Sequence, residues 1–169
     1  MEFALAATPL QGWVLGLLSL PICLWVAYTD LSQMKIRNQA VLALFGVFVV
    51  AGLFVVAPLT EYLWRYVQLA VVLAAGFVLS SVRALGAGDA KFAAAMAPFV
   101  APGDYGAVLM LFAVLLIATW LLHRAARAVA PVRNLAPGWK SWSETKDFPM
   151  GITLAATQLT YLGLAAIGG

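Results

Sequence analysis

The sequence is poor in charged residues. Only 10% of its 169 residues are Asp, Glu, Lys or Arg, whereas 64% are hydrophobic. Soluble domains have about one quarter charged and about one half apolar residues, so this chain has too few charges to cover a water-exposed surface. The composition also excludes a disordered chain and a basic nucleic-acid-binding domain, although the formal net charge is +3. We expect a protein that partners with a lipid bilayer and binds no nucleic acid.

Cysteine and histidine are almost absent. Cys23 and His123 are the sole residues of their types in the sequence. One chain therefore cannot build an internal disulfide or a cysteine-based zinc site. Cys23 lies inside an apolar run and His123 at the end of another, so we interpret both as packing or interfacial residues. We expect no metal and no other cofactor.

Apolar runs dominate the chain. They cover residues 9–29, 39–58, 62–82, 90–101, 104–123 and 149–167. Most are close to the length of about 20 residues that crosses a bilayer. The runs predict an all-α polytopic membrane protein with about six transmembrane helices, built as a single membrane-embedded domain over residues 1–169.

The fourth run is unusually short. Its 12 residues (90–101) would cover only about 18 Å of a hydrocarbon core about 30 Å thick. Three possibilities follow. The helix extends upstream through Ala84 and Leu85, it lies where the protein excludes lipid, or it does not cross the membrane.

Basic residues are unevenly placed. Nine of the ten Lys and Arg residues follow the first, third or fifth run, or begin the fourth. If all six runs cross, these nine share one face, which the positive-inside rule makes cytoplasmic, and both termini lie outside. Arg65 is the exception and shares its side with Glu2, Glu61 and Asp104. This one-sided pattern favours the short fourth run as a true span.

One extended polar segment covers residues 124–148 and includes Trp139, Trp142 and Lys146. A solvated loop whose tryptophans anchor at the headgroup level would explain it. The alternative is a loop that also contacts a substrate.

Two carboxylates lie at helix ends that the six-span topology brings to one face. Asp30 ends the first run, and Asp89 begins the fourth. Such a pair suits an aspartic dyad, in which an ionised carboxylate activates water while a protonated one polarises a carbonyl. Gly86 and Gly88 would let another backbone approach closely. The alternatives are a solvated helix-end residue for Asp30 and a helix N-cap for Asp89.

Helix dipoles give a first expectation for the two protonation states. Asp30 ends a helix, where the dipole disfavours an anion, and Asp89 begins one, where it favours an anion. The sequence therefore predicts that Asp89 is the ionised base and Asp30 the protonated acid.

Three motifs resemble those of one known family. The stretch Gly86-Ala87-Gly88-Asp89-Ala90-Lys91-Phe92 resembles the GxGDxK motif of the type IV prepilin peptidases, which are GxGD membrane aspartic proteases. Residues 30–38 are similar to that family's first aspartate with its basic turn and Ile-Pro-Asn ending. Residues 148–151 are similar to its Pro-x-Gly opening of the last helix.

The resemblance implies a role for each matching residue. Asp30 and Asp89 would be catalytic, and six residues would support them as motif or structural positions. These six are Gly86, Gly88, Lys91, Asn38, Pro149 and Gly151. The role of Lys91 stays open, between a motif function and a charge beside lipid phosphates. The chain departs from the family pattern at Arg37, where proline is usual, and at Phe92, where leucine is common.

The short turn after Asp30 indicates which subgroup of the family the chain resembles. Large family members carry a cysteine-containing insert there and also N-methylate the pilin, whereas this chain resembles the short Tad/Cpa-type peptidases of Flp-type pilins. The resemblance implies an endopeptidase, without methyltransferase activity, that removes prepilin leaders at the cytoplasmic face of the bacterial inner membrane. The sequence leaves the oligomeric state open.

Two other classes of protein remain possible from the residues alone. A small cation or proton transporter would also place carboxylates within the membrane, although it does not explain the Gly-x-Gly-Asp-x-Lys spacing. A non-catalytic membrane subunit of a secretion assembly would tolerate neutral replacements of both aspartates.

Overall fold

The computed structural model describes residues 5–144 and 147–168, and within them the chain is helical without β-strands. This confirms the all-α prediction. The described helices are α1 (Pro9–Gln33), α2 (Asn38–Val55), α3 (Leu59–Ser81), α4 (Ala87–Met96), α5 (Tyr105–Ala128), α6 (Ala130–Leu135) and α7 (Met150–Ala166). Each of the six apolar runs corresponds to one helix, and α6 is a short addition within the polar segment.

Among the described residues, four helices are long and apolar enough to cross a membrane, namely α1, α2, α3 and α5, the last together with the turn that precedes it. Large apolar side chains such as Phe77 and Leu109 are exposed on them, as suits lipid contact. The chain is thus a multi-pass membrane protein. A count of six spans, and both termini outside, remain predictions.

Helix α1 has well-defined ends. Thr8 caps its start, and the Thr8 and Gln11 side chains exchange hydrogen bonds with each other's backbone N–H groups in a capping box. Met34 ends the helix in the left-handed conformation, and its N–H donates to the Asp30 carbonyl. These ends fix the turn that carries Asp30.

Helix α7 packs along α1. A Cβ atom at Gly12 would overlap the backbone of Ala166 at the end of α7, so glycine is required for this close approach. Since the two helices run in opposite directions, the start of α7 lies beside the end of α1. This contact brings residues 149–151 to Asp30.

The short helix α4 lies inside the protein. Ala90, Phe92 and Ala95 are among its buried residues, and it packs against α2, α3 and α7. It begins at Ala87 rather than extending upstream, because the chain turns at Arg83, which has a φ of 59°. The structure therefore excludes the upstream extension and shows a short helix packed among other helices. Whether this run crosses the membrane stays a prediction.

Buried polar contacts occupy the end of the molecule opposite Asp30. Arg65, only 1% exposed, pairs with Glu61 at 2.6 Å and donates to the Pro98 carbonyl oxygen at 3.1 Å. Asp104 accepts hydrogen bonds from the backbone of residues 6 and 7 and from the Tyr161 hydroxyl. Arg65, Glu61 and Asp104 therefore share one end, as the charge pattern predicted. Glu2 and Lys146 lie outside the described residues.

Candidate active site

Asp30 is buried at the end of α1. Only 5% of the residue's surface is exposed. The Gly151 backbone N–H, in the first turn of α7, donates to Asp30 Oδ2 at 2.6 Å. The alternative of a solvated helix-end aspartate is therefore wrong, because the residue is buried and its carboxyl group accepts a hydrogen bond from the protein backbone.

Asp89 lies in the first turn of α4, with Gly86 rather than Asp89 at the N-cap. The N-cap interpretation of Asp89 is thus wrong. Its carboxyl group folds back towards Gly86, where a Cβ atom would overlap Oδ2. The residue is half-buried. Its neighbour Gly88 lies against Ile36, which also lies against Gly151, the residue that donates to Asp30. The structure thus brings together two aspartates that the sequence separates widely.

Ile36 lies between the segments that carry the two aspartates. A Cβ atom at Gly88 would lie 3.3 Å from Ile36 Cβ, and one at Gly151 would lie 3.0 Å from Ile36 Cδ1. Glycine at both positions lets α4 and α7 approach the turn between α1 and α2. The sequence predicted that another backbone approaches Gly88. It did not predict that Ile36 is the residue that both glycines contact.

The remaining motif residues, and Arg37 beside them, lie at the turn between α1 and α2 or at the starts of the helices around it. Lys91 Nζ donates to Asn38 Oδ1 at 3.3 Å and so joins α4 to the first residue of α2. Arg37, at the position where proline is usual, is the N-cap of α2 and donates to Gln33 Oε1 at 3.1 Å. Pro149 is buried and is the N-cap of α7.

Aromatic side chains in the described parts of the polar segment, residues 124–144 and 147–148, pack against the helices. Trp139 meets Tyr28 of α1 edge-on and stacks on Trp142, which in turn stacks on His123. His123 also contacts Phe148 edge-on, directly before Pro149. The packing role predicted for His123 is confirmed. The sequence predicted tryptophans at an interface but missed that they connect α1 to the start of α7.

This arrangement can perform acid–base chemistry. Two carboxyl groups that act on each other resist double ionisation, so a pair of this kind tends to hold one shared proton. One member can then accept a proton from water while the other donates one to a carbonyl oxygen. Across the described residues, no group of three or more His, Cys, Asp or Glu side chains is arranged to hold a metal ion.

Comparison with known families gives one match. The model of the family described as "Type IV leader peptidase family" matches residues 17–122, more than half of the chain. The matched region includes Asp30, Asp89 and Lys91 and ends before Pro149 and Gly151. Searches of curated proteins and of solved structures each find no significant match.

Proposed function

Because the chain belongs to the type IV leader peptidase family, we propose that Asp30 and Asp89 are the catalytic pair of a membrane aspartic endopeptidase. The observation that carries the proposal is their convergence. Asp30 is fixed by the Gly151 N–H, and Gly88, directly before Asp89, approaches the same Ile36 side chain as Gly151 does. A peptidase of the aspartic type needs two carboxyl groups that are held at one site.

The proposed reaction divides the work between the two carboxyl groups. The ionised aspartate takes a proton from a water molecule, whose oxygen attacks the carbonyl carbon of the scissile peptide bond. The protonated aspartate donates its proton to the carbonyl oxygen. When the tetrahedral intermediate collapses and the C–N bond breaks, the aspartate that took the proton from water gives it to the leaving nitrogen. The other aspartate recovers its proton from a hydroxyl group of the intermediate, so the pair returns to its starting state. The scissile bond must be extended, because a carbonyl within a helix is occupied by the i→i−4 hydrogen bond.

The proposed substrate is a prepilin of the Flp type, cleaved at the cytoplasmic face of the bacterial inner membrane. Two features support this choice. The turn between α1 and α2 is short, with no room for a methyltransferase insert. The aspartates also share their end of the molecule with the turns that carry most of the basic residues, which are typical of the cytoplasmic side.

Cleavage of a purified prepilin by the detergent-solubilised or nanodisc-embedded protein tests the proposal. We expect Asp30→Asn and Asp89→Asn to abolish cleavage while the variants stay folded and membrane-inserted. Asp147→Asn is the matched control, because Asp147 is an exposed aspartate near the start of α7 and should not matter. We further expect an unmethylated product without S-adenosylmethionine, and cleavage that chelators do not inhibit.

Near wild-type cleavage by either Asn variant would contradict the proposed pair, because another group would then have to catalyse the reaction. No cleavage by the wild type, together with assembly that both Asn variants still support, would favour a non-catalytic assembly subunit. Loss of proton or cation flux in these variants, without any cleavage by the wild type, would instead favour a transporter.

A further inference from the structure

An apolar groove leads away from Asp89 along the lipid-facing side of the protein. It has a volume of about 550 Å³, within the range of about 300–1,000 Å³ that is usual for binding clefts. Helix α3 forms one wall, α5 and α7 form the other, and α4 forms the floor. Asp89 lies at one end of the groove, and Gln68 and Tyr105 lie at the other.

The floor and the α3 wall of the groove carry small side chains. Ala75 and Gly76 of α3 face Ala90 and Ala93 of α4 in its lining. Small residues allow helix backbones to approach closely within a membrane. Along α3 the lining runs from Gln68 to Leu79, which is about 16 Å at the helical rise of 1.5 Å per residue.

The groove opens towards the bilayer. Val71, Leu79 and Leu109, on its two walls, are 61%, 46% and 68% exposed. In the membrane these side chains face lipid, so an apolar helix can enter from the side without crossing water. Apart from Asp89, the lining has no ionisable acid or base other than the Tyr105 hydroxyl, and this makes it unsuited to a hydrophilic ligand.

We propose that this groove binds the hydrophobic transmembrane segment of the substrate, immediately after the scissile bond. The inference rests on the proposed function and adds the place where the retained part of the substrate docks. Asp89 belongs both to the candidate active site and to the groove, so a helix lying in the groove begins where the extended scissile bond must end. Side chains at i, i+3, i+4 and i+7 would fill the groove, as in other helix-in-groove complexes.

Two alanines on α3 offer a matched test. Ala75 lines the groove, whereas its exposed neighbour Ala74 does not. A bulky Ala75→Trp side chain fills the groove, and Ala74→Trp adds the same side chain to the lipid-facing surface. We measure kcat/KM for a full prepilin and for a short peptide that spans the cleavage site but lacks the hydrophobic helix. We expect Ala75→Trp to lower the preference for the full prepilin about tenfold and Ala74→Trp to leave it unchanged. An equal effect of both variants would overturn the proposal.

Photo-crosslinking supplies a second measurement that does not depend on a folded tryptophan variant. A benzoyl-phenylalanine replaces Val71, a large and exposed residue at the rim, so that the groove itself stays open. The control replaces Leu73, which is also exposed but does not line the groove. Position 71 should crosslink to the hydrophobic segment of the prepilin, and position 73 should not. Crosslinks from position 71 to lipid alone, during active cleavage, would assign the groove to an acyl chain and refute docking. If the wild type cleaves no prepilin, the proposed function itself fails. Cleavage without a prepilin crosslink from position 71 overturns only the proposal that the groove binds the substrate helix.

Discussion

The Gly151 backbone N–H donates a 2.6 Å hydrogen bond to Asp30 Oδ2 across 121 positions of sequence. The N–H groups at the start of a helix favour negative charge. A hydrogen bond to a charged acceptor contributes about 1.5–3 kcal/mol, whereas a helix dipole contributes about 0.3–1 kcal/mol. The contact with α7 therefore outweighs the dipole of α1, and Asp30 is better suited to be the carboxylate. This hydrogen bond gives the opposite expectation to the one drawn from the helix dipoles.

The first prediction is that Asp89 holds the shared proton in the free enzyme near neutral pH. The infrared band of a protonated carboxyl group should then disappear in Asp89→Asn and persist in the control variant Asp147→Asn. The reason is that Asp30, the remaining member of the pair, keeps its hydrogen bond from Gly151 and stays ionised. A band that persists in Asp89→Asn at an intensity close to the wild type would assign the proton to Asp30. The two groups titrate as a coupled pair, so the spectra are compared at one pH.

The second prediction concerns the space around Gly151. A Cβ atom there would lie 2.8 Å from Asp30 Oδ2 and 3.0 Å from Ile36 Cδ1, so Gly151→Ala must displace the carboxylate or the turn. Small displacements of reacting groups are costly, and we expect kcat for prepilin cleavage to fall about 10- to 100-fold.

Gly163→Ala on the same helix is the control. Nothing lies within 4 Å of a Cβ atom built at that position. Alanine is the better helix former by about 0.5–1 kcal/mol, so this variant should keep its activity and its thermal stability. Equal activities of the two variants would show that the close packing at Gly151 does not position Asp30.

The sequence predicts some parts of this structure and not others, for physical reasons. The helices follow from the apolar runs, because bilayer thickness sets their length and composition directly. The burial of α4 does not follow, since its alanines are compatible with both lipid and protein neighbours. The contact between Asp30 and Gly151 also does not follow, because it depends on the packing of α7 along α1. The dipole argument could not include this contact, because it treated each aspartate only within its own helix.

The third prediction is the membrane topology. Single cysteines replacing Thr60 and Ile167 should react with an impermeant thiol reagent from outside, and one replacing Gly138 should react only after permeabilisation. All three positions are exposed, whereas the native Cys23 is fully buried and should stay unlabelled. The basic residues at the Asp30 end are the reason for this orientation. Labelling of position 167 from inside would exclude six spans with both termini outside.

The last prediction separates Lys91 from the catalytic pair. Its amino group donates to Asn38 Oδ1 at 3.3 Å, and both residues are exposed. Exposed polar contacts of this kind contribute little, so we expect Lys91→Ala and Asn38→Ala each to lower the free energy of unfolding by less than about 1 kcal/mol. The two changes should lower cleavage by similar, small factors of less than about tenfold, and the double variant should be no worse than the larger single effect. If Lys91→Ala lost cleavage activity as completely as Asp89→Asn while Asn38→Ala stayed fully active, Lys91 would instead contact the substrate directly. Unfolding and cleavage measured on the same four proteins distinguish a helix-joining contact from a contact with substrate.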